Sequence, residues 1–341
     1  MAVDMRKVSR WAMIAIVASL AAFGAFPAGA AEPTLDDVWS GKARFAVENS
    51  TYGAEFGMHF LSAVVDQETI YAYHNAPDGG QNSIGLATTT DGVTFTNIGK
   101  VVTRSANDAN EWDSRFASFP GAIKNGDDWF LVYEGAGTSP GDIGLATSRD
   151  GMKFVKQTQP ILVHAKRQPK DSASLSLNWE RQNIGTPSIY FEDGQYFLFY
   201  HGFGKGTSNE PDDCQLGLAT GADLTKLKRF GNGPLMRTSK KGWDSGTIGK
   251  RSILKQNDYY YMMFEGSTDQ PYDKAKWSSG LARSRALTGP WEKFEHNPVL
   301  PITDRGFGYD GPEFISIGPT LYIYFRSPKG PTARAALIWN Q

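Results

Sequence analysis

Four segments of this chain are near copies of one another: Ser83-Ile84-Gly85-Leu86-Ala87-Thr88, Asp142-Ile143-Gly144-Leu145-Ala146-Thr147, Gln215-Leu216-Gly217-Leu218-Ala219-Thr220 and Ser279-Gly280-Leu281-Ala282-Arg283-Ser284. They recur about every 60 to 70 residues, a period that limits the chain to repeated structural units packed on their neighbours. Upstream of each copy runs an aromatic, alternating strand: Ile70 to His74, Trp129 to Glu134, Tyr196 to His201 and Tyr260 to Glu265. Leu321 to Arg326 has the same character and marks a fifth unit. Apolar and polar residues alternating over such short runs are the mark of half-buried strands. Two copies lead into Asp91-Gly92 and Asp150-Gly151, where the glycine supplies the positive φ of a tight hairpin. A third hairpin is worded differently, Thr288-Gly289-Pro290-Trp291.

Each unit therefore reads as four short antiparallel strands, with no amphipathic helix between units. Five such units predict an all-β chain folded as a five-bladed β-propeller. The last unit, from Tyr309 to Gln341, has room for only three strands, so the segment near Ala43 to Val47 is expected to supply the fourth and remove the open edge. A two-sheet sandwich would also be all-β, but it does not require five alignable repeats.

Residues 1–30 carry Arg6, Lys7 and Arg10, then the apolar run Trp11 to Phe26, then Pro27-Ala28-Gly29-Ala30. That is the layout of a secretory signal peptide, and the apolar run is shorter than the roughly 20 residues needed to span a bilayer. The expected mature domain is residues 31–341, exported to the periplasm or secreted, soluble and monomeric, with no membrane attachment after cleavage. The single cysteine, Cys214, excludes an intramolecular disulfide. With 35 basic and 36 acidic residues, the net charge of −1 gives no field that would favour nucleic acid or an anionic membrane. Nine Trp and 14 Tyr suit a neutral sugar partner as well as a core.

Aligning the repeats names positions that share one face. Trp112-Asp113, Trp179-Glu180 and Trp243-Asp244 each begin 22 residues before Glu134, His201 and Glu265. Tyr309-Asp310, with Glu313 nearby, is the looser counterpart in the fifth unit. One ring of candidates is therefore Asp113, Glu180, Asp244 and Asp310; the second, at the ends of the aromatic strands, is His74, Glu134, His201, Glu265 and Arg326. Carboxylates mixed with His and Arg provide one acid to protonate a leaving oxygen and one base to activate water. Crowding and burial would push their pKa values apart. Glu265 is the expected general acid, with Asp244 or Asp113 as base and Glu134, Glu180 and Glu313 as further candidates. Trp112, Trp179, Trp243, Arg181 and Arg251 complete the expected substrate contacts. The competing reading makes each Trp and its acid a brace within its own unit. His59 is placed level with Phe119, Thr186, Lys250 and Gly311 at the start of the first strand of each unit.

His59, His74 and His201 would face the channel, but no HxH or HxxxH spacing supports a zinc site. No cofactor is required by the chemistry, and a central Ca²⁺ is the metal the pattern best allows.

From about residue 45 to 341, the unit pattern, the Gly-Leu-Ala-Thr strands and Leu287-Thr288-Gly289-Pro290-Trp291 resemble the five-bladed propeller glycoside hydrolases, the group containing families 43, 32, 62, 68, 117 and 130. The wording Tyr200-His201-Gly202 is similar to family 130, whose resemblance implies action on mannosides by phosphorolysis or hydrolysis. The group implies hydrolysis of poly- or oligosaccharides, with inversion in family 43. The strict family 43 carboxylate triad at the first-strand starts is absent, so no catalytic residue is carried over. The expected activity is hydrolysis of a neutral glycan by carboxylate acid/base catalysis. A non-catalytic sugar-binding propeller and a polysaccharide lyase, with Arg115, Arg181, Lys250, Arg251 and Arg326 neutralising a uronate, are the alternatives.

Overall fold

A computed structural model describes residues 31–106, 111–137, 141–165, 178–204 and 214–341. The expected signal peptide, residues 1–30, lies outside the described residues. Among the described residues a short helix, α1 (Leu35–Trp39), precedes a single strand, β1 (Ala43–Val47), and the chain then runs through successive antiparallel meanders. The first unit is β2 (His59–Asp66), β3 (Thr69–Asp78), β4 (Gln81–Thr89) and β5 (Thr96–Val102). The second is β6 (Phe116–Asn125), β7 (Asp128–Ala136), β8 (Asp142–Ser148) and β9 (Val155–Lys156), and the third is β10 (Asn183–Glu192), β11 (Gln195–Phe203), β12 (Cys214–Gly221) and β13 (Lys228–Arg229). The fourth is β14 (Thr247–Gln256), β15 (Tyr259–Ser267), β16 (Trp277–Ser284) and β17 (Glu292–Lys293). The fifth has β18 (Asp310–Ile317), β19 (Thr320–Arg326) and β20 (Thr332–Trp339), and β1 pairs with β20 as its fourth strand, Ala43 opposite Trp339 and Val47 opposite Ala335.

The first strands touch in cyclic succession: β2 on β6, β6 on β10, β10 on β14, β14 on β18, and β18 on β2. The apolar core follows the same order, with one cluster between each pair of neighbouring units. Tyr73 and Leu86 meet Leu131 and Tyr133, and Val132 and Leu145 meet Leu198 and Tyr200. Phe199 and Leu218 meet Met262 and Phe264, Met263 and Leu281 meet Ile323 and Phe325, and Leu61 and Ile70 meet Ile315 and Tyr324. Sheets that bury their faces on one another in this way make an all-β architecture of the propeller type. Among the described residues no helix is long and apolar enough to cross a membrane.

The repeated sequence features have local physical causes. Asp91 accepts hydrogen bonds from the Val93 and Thr94 N–H groups, and Asp150 accepts from Met152 and Lys153, all at 2.8 Å. These turns lie away from the first strands and join neighbouring units: the Tyr73 hydroxyl donates to the Gly151 carbonyl and the Tyr324 hydroxyl to that of Gly92. The glycine of the Gly-Leu-Ala motif makes room for an aromatic ring. A Cβ on Gly144, Gly217 or Gly280 would stand 2.7, 2.5 or 2.5 Å from atoms of Trp112, Trp179 or Trp243.

Candidate active site

The first strand of each unit carries a bulge, and the bulge sets which side chains enter the channel. At its leading position Phe60, Phe119, Thr186 and Gly311 adopt positive φ, and Lys250 is their counterpart in the fourth unit. Phe60 therefore occupies the place expected of His59. The residue before the bulge faces the end of the second strand: His59 opposite Asn75, Ser118 opposite Glu134, Gly185 opposite His201 and Asp310 opposite Arg326. In the fourth unit a Cβ on Gly249 would stand 2.0 Å from Glu265 Oε1. The inner ring is thus Asn75, Glu134, His201, Glu265 and Arg326.

His74 is the correction. Successive strand residues point to opposite sides, and His74 turns from the channel to pack its ring 5.5 Å from Phe56, with Nδ1 2.8 Å from the Asn75 carbonyl oxygen. Asn75 does the work of the ring: its Oδ1 accepts from the Phe119 N–H at 2.6 Å. Glu134 Oε2 accepts from the Thr186 N–H at 3.0 Å and Glu265 Oε2 from the Gly311 N–H at 2.7 Å. Each of these side chains reaches to the bulge of the next unit.

Four residues of that ring, Glu134, His201, Glu265 and Arg326, line a pocket of about 340 Å³ with Asp310, Asn183 and Thr186, and its walls include Phe60, Phe119, Phe203, Trp277 and Phe307; Asn75 does not line it. Burial pushes the Glu134 carboxyl up to about 7. Burial, and then the neighbouring Asp310 carboxylate, push Glu265 up to about 7, although its two oxygens accept from the Lys250 and Gly311 N–H groups. Burial and the nearby Arg251 guanidinium hold His201 down at about 3, so its ring is neutral. Asp310 is held in an ion pair by Arg326, whose guanidinium also lies 4.6 Å from the Phe60 ring and 4.2 Å from Phe307. Two carboxyls of raised proton affinity in one mainly apolar-lined pocket are the equipment for general acid and base chemistry.

The structure gives the first predicted ring a different place. Asp113 pairs with Lys156 at 2.8 Å, Asp244 with Lys293 at 2.6 Å and Glu180 with Arg229, and each base lies on the fourth strand of the same unit. Trp112 stacks on Tyr133 at 5.6 Å, Trp179 on Tyr200 at 5.9 Å and Trp243 on Phe264 at 5.5 Å. None of these six lines the pocket. They form the braces that the competing reading described, and Tyr309 on Phe325 at 5.6 Å is the fifth-unit version. There the spacing to the strand end shortens from 22 residues to 17, measured from Tyr309 to Arg326, which moves Asp310 out of a brace and into the channel.

The remaining predicted residues do not line the pocket. Glu313 lies deeper, pairing with Lys250 Nζ at 3.0 Å and accepting from the Ala63 N–H at 2.9 Å. Arg251 is fully buried and donates to the Thr186 carbonyl at 2.8 Å and hydroxyl at 2.9 Å. His59 holds Nδ1 2.8 Å from the Gly57 carbonyl oxygen, and Arg181 is exposed. Among the described residues no group of three or more His, Cys, Asp or Glu side chains is placed to hold a metal ion. Sequence reasoning missed Asn75, Asn183 and the aromatic walls; Phe60 and Asn75 each lay one residue from a position it had chosen.

Residues 61–313 match the model of glycosyl hydrolases family 43. A 1,2-β-oligomannan phosphorylase of Thermoanaerobacter sp. (strain X514) is 26% identical over 130 residues, which is 36% of this chain and 39% of that protein. Among solved structures, a thermostable family-43 glycoside hydrolase superposes with a TM-score of 0.64 at 17% identity, covering 86% of this chain and 92% of its own. A β-1,2-mannobiose phosphorylase from Listeria innocua, in complex with β-1,2-mannobiose, superposes at 0.62 and 15% identity, covering 86% and 93%. At those identities the two structures share the fold. The family match spans most of the sequence, and the chain belongs to glycosyl hydrolases family 43.

Proposed function

We propose that this chain hydrolyses a neutral glycan in the axial pocket of a closed five-bladed propeller, with Glu265 as general acid and Glu134 as general base. The observation that carries the reading is the pairing of two buried carboxyls, both raised to about 7, in one aromatic-walled pocket. The Asp310 charge beside Glu265 favours its protonated form, which is the form a general acid needs. Glu134 stands on the second unit and Glu265 on the fourth, and a product of inverted anomeric configuration, read by NMR, is the outcome expected of this acid and base pair. Export by residues 1–30 belongs to the same proposal, and N-terminal sequencing of the protein recovered outside the cytoplasm tests it.

The two roles differ in their leaving-group dependence. Activity is measured on a panel of p-nitrophenyl glycosides of neutral pentoses and hexoses, and on neutral di- and trisaccharides. Glu265→Gln should lower kcat by about 10²- to 10⁴-fold on the oligosaccharides and much less on nitrophenyl glycosides, whose leaving group needs no proton. Glu134→Gln should lower both. Folded variants with full activity on every substrate, or a wild-type protein that cleaves none, would sink the proposal.

Phosphorolysis is the second reading, favoured by the stretch shared with the oligomannan phosphorylase. Phosphate needs a cationic cradle, and Arg326, the one cation lining the described pocket, is committed to Asp310. Hydrolysis should therefore proceed at the same rate with and without inorganic phosphate; a phosphate-dependent rate and a sugar phosphate product would reverse the assignment.

A further inference from the structure

The links that run around the inner ring change direction at one place. Asn75, Glu134 and Glu265 each accept from an N–H in the bulge of the next unit, and Arg326 of the fifth unit holds its guanidinium 4.6 Å from the Phe60 ring of the first. His201 of the third unit does not reach forward. Its Nδ1 lies 2.8 Å from the Thr186 hydroxyl of its own unit, and the Lys250 N–H that would meet it in the fourth unit donates to Glu265 instead. Here the link runs backward, from Arg251. The position after the leading bulge residue is apolar in four units, Leu61, Pro120, Pro187 and Pro312, and carries a charge only in the fourth. Arg251 is fully buried and donates to the Thr186 carbonyl at 2.8 Å, to the Thr186 hydroxyl at 2.9 Å and to the Gly249 carbonyl.

Thr186 needs such a hold. Its φ of 39° lies in the left-handed region, where a β-branched residue is strained and persists only if its surroundings fix it. That conformation aims its N–H at Glu134 Oε2, 3.0 Å away, and its hydroxyl at His201. The planar fork of a guanidinium, bound to the carbonyl and the hydroxyl of one residue, fixes both its backbone and its side chain. Arg251 meets neutral oxygens, and its Nε is buried without a partner among the described residues. A charge buried on those terms costs stability, so the arrangement is poor as a brace and specific as geometry.

Resting on the reading of Glu134 as general base, we propose that Arg251 is a positioning residue: from the fourth unit it holds Thr186 in its left-handed conformation, and through Thr186 it places the N–H that Glu134 accepts and the hydroxyl that His201 meets. Arg251 does not line the pocket, so it acts through Thr186 alone. The Thr186 N–H favours the charged form of Glu134. Asn183, Arg115 and Asp142 also act on that carboxyl, and all three stay in place when Arg251 is replaced.

The titration of Glu134 is read by ¹³C NMR of carboxyl-labelled glutamate, its signal identified by its loss in Glu134→Gln. Arg251→Met keeps the volume without a donor. It should move the midpoint up by about one pH unit, the loss of one hydrogen bond to a charged group, and lower kcat on the best panel substrate about tenfold. Glycine adopts the left-handed conformation unaided, so adding Thr186→Gly to Arg251→Met should bring the midpoint back towards that of the wild type. A residue that served only the fold would gain nothing from that glycine. Arg251→Lys, which keeps the buried charge but not the fork, should move the midpoint in the same direction, and it carries the test if Arg251→Met does not fold. An unmoved midpoint in the folded Arg251 variants, or a shift that Thr186→Gly leaves in place, overturns the proposal. The titration needs no substrate, so it decides the role of Arg251 even where no panel glycan is cleaved, the outcome that sinks the glycosidase reading alone.

Discussion

Glu134 and Glu265 owe their high proton affinity to burial, and the same burial makes them a liability for the fold. Each binds its proton more tightly in the folded chain than in the unfolded one, where the ordinary value is 4.5. The stability tied to each is therefore fully present below about pH 4.5 and is lost as the pH rises towards about 7, by up to roughly 3 kcal/mol per carboxyl. Chemical denaturation across pH 4.5 to 8 should show that decline. Glu134→Gln, whose amide does not titrate, should remove about half of it; an unchanged slope would mean that the Glu134 pKa is not raised. Activity should follow a bell centred near pH 7, since one carboxyl must hold its proton while the other has lost it. Gly249 belongs to the same accounting, because a Cβ there would stand 2.0 Å from Glu265 Oε1. Gly249→Ala should displace the carboxyl and lower kcat about tenfold or more while the protein stays folded, measured on the best panel substrate.

In the second, third and fourth units the recurring element is the brace of aromatic ring, acid and fourth-strand base. Asp244 is 2% exposed and paired with Lys293. Lys293 is partly exposed and keeps the Arg237 carbonyl and the Ser239 hydroxyl as acceptors, so Asp244→Ala should cost about 2 kcal/mol in denaturant unfolding, the loss of one charged hydrogen bond. Because the brace lies outside the pocket, kcat/KM of the folded variant should stay within threefold; a loss of 10² or more would return Asp244 to the chemistry. The spacing of 22 residues revealed these braces, since three Trp anchors repeat it, and the paired carboxyls Glu134 and Glu265 were readable from the same count. The first unit has no such Trp: Phe56 takes its place and stands only 19 residues before Asn75. Without that anchor the alternation slipped by one, and a one-residue slip moves a side chain to the opposite face, which is why His74 was expected where Asn75 lies. The bulges had no signal at all. A left-handed residue at Phe60 or Phe119 is a backbone event that neither side chain announces, and it decides which of two neighbours enters the channel. The pocket walls were equally silent, because Tyr272, Trp277 and Phe307 come from connections and strand starts that do not repeat.

At the scale of the whole molecule, the fifth unit is assembled from both ends of the described chain, and the pocket depends on that junction. β1 covers the edge of β20, and Leu35, Val38 and Phe45 bury their side chains in the cluster shared by the fourth and fifth units. Arg334 ties β20 to Glu48 at 2.9 Å and to the Gly92 carbonyl of the first unit at 3.2 Å. Burying three apolar side chains contributes about 6 kcal/mol, and a loss of that size should lower Tm by about 10 °C or more. A protein that begins after residue 47 should therefore melt well below one that begins at residue 31 and self-associate through the uncovered β20 edge, as read by calorimetry and size-exclusion chromatography. Equal melting temperatures would show that the last unit holds without β1. Activity should fall with stability here, in contrast to Asp244→Ala, because Asp310 and Arg326 sit on β18 and β19 of this unit and Gly311 donates to Glu265. A junction that loosens releases one side of the Glu265 carboxyl along with the edge of the sheet.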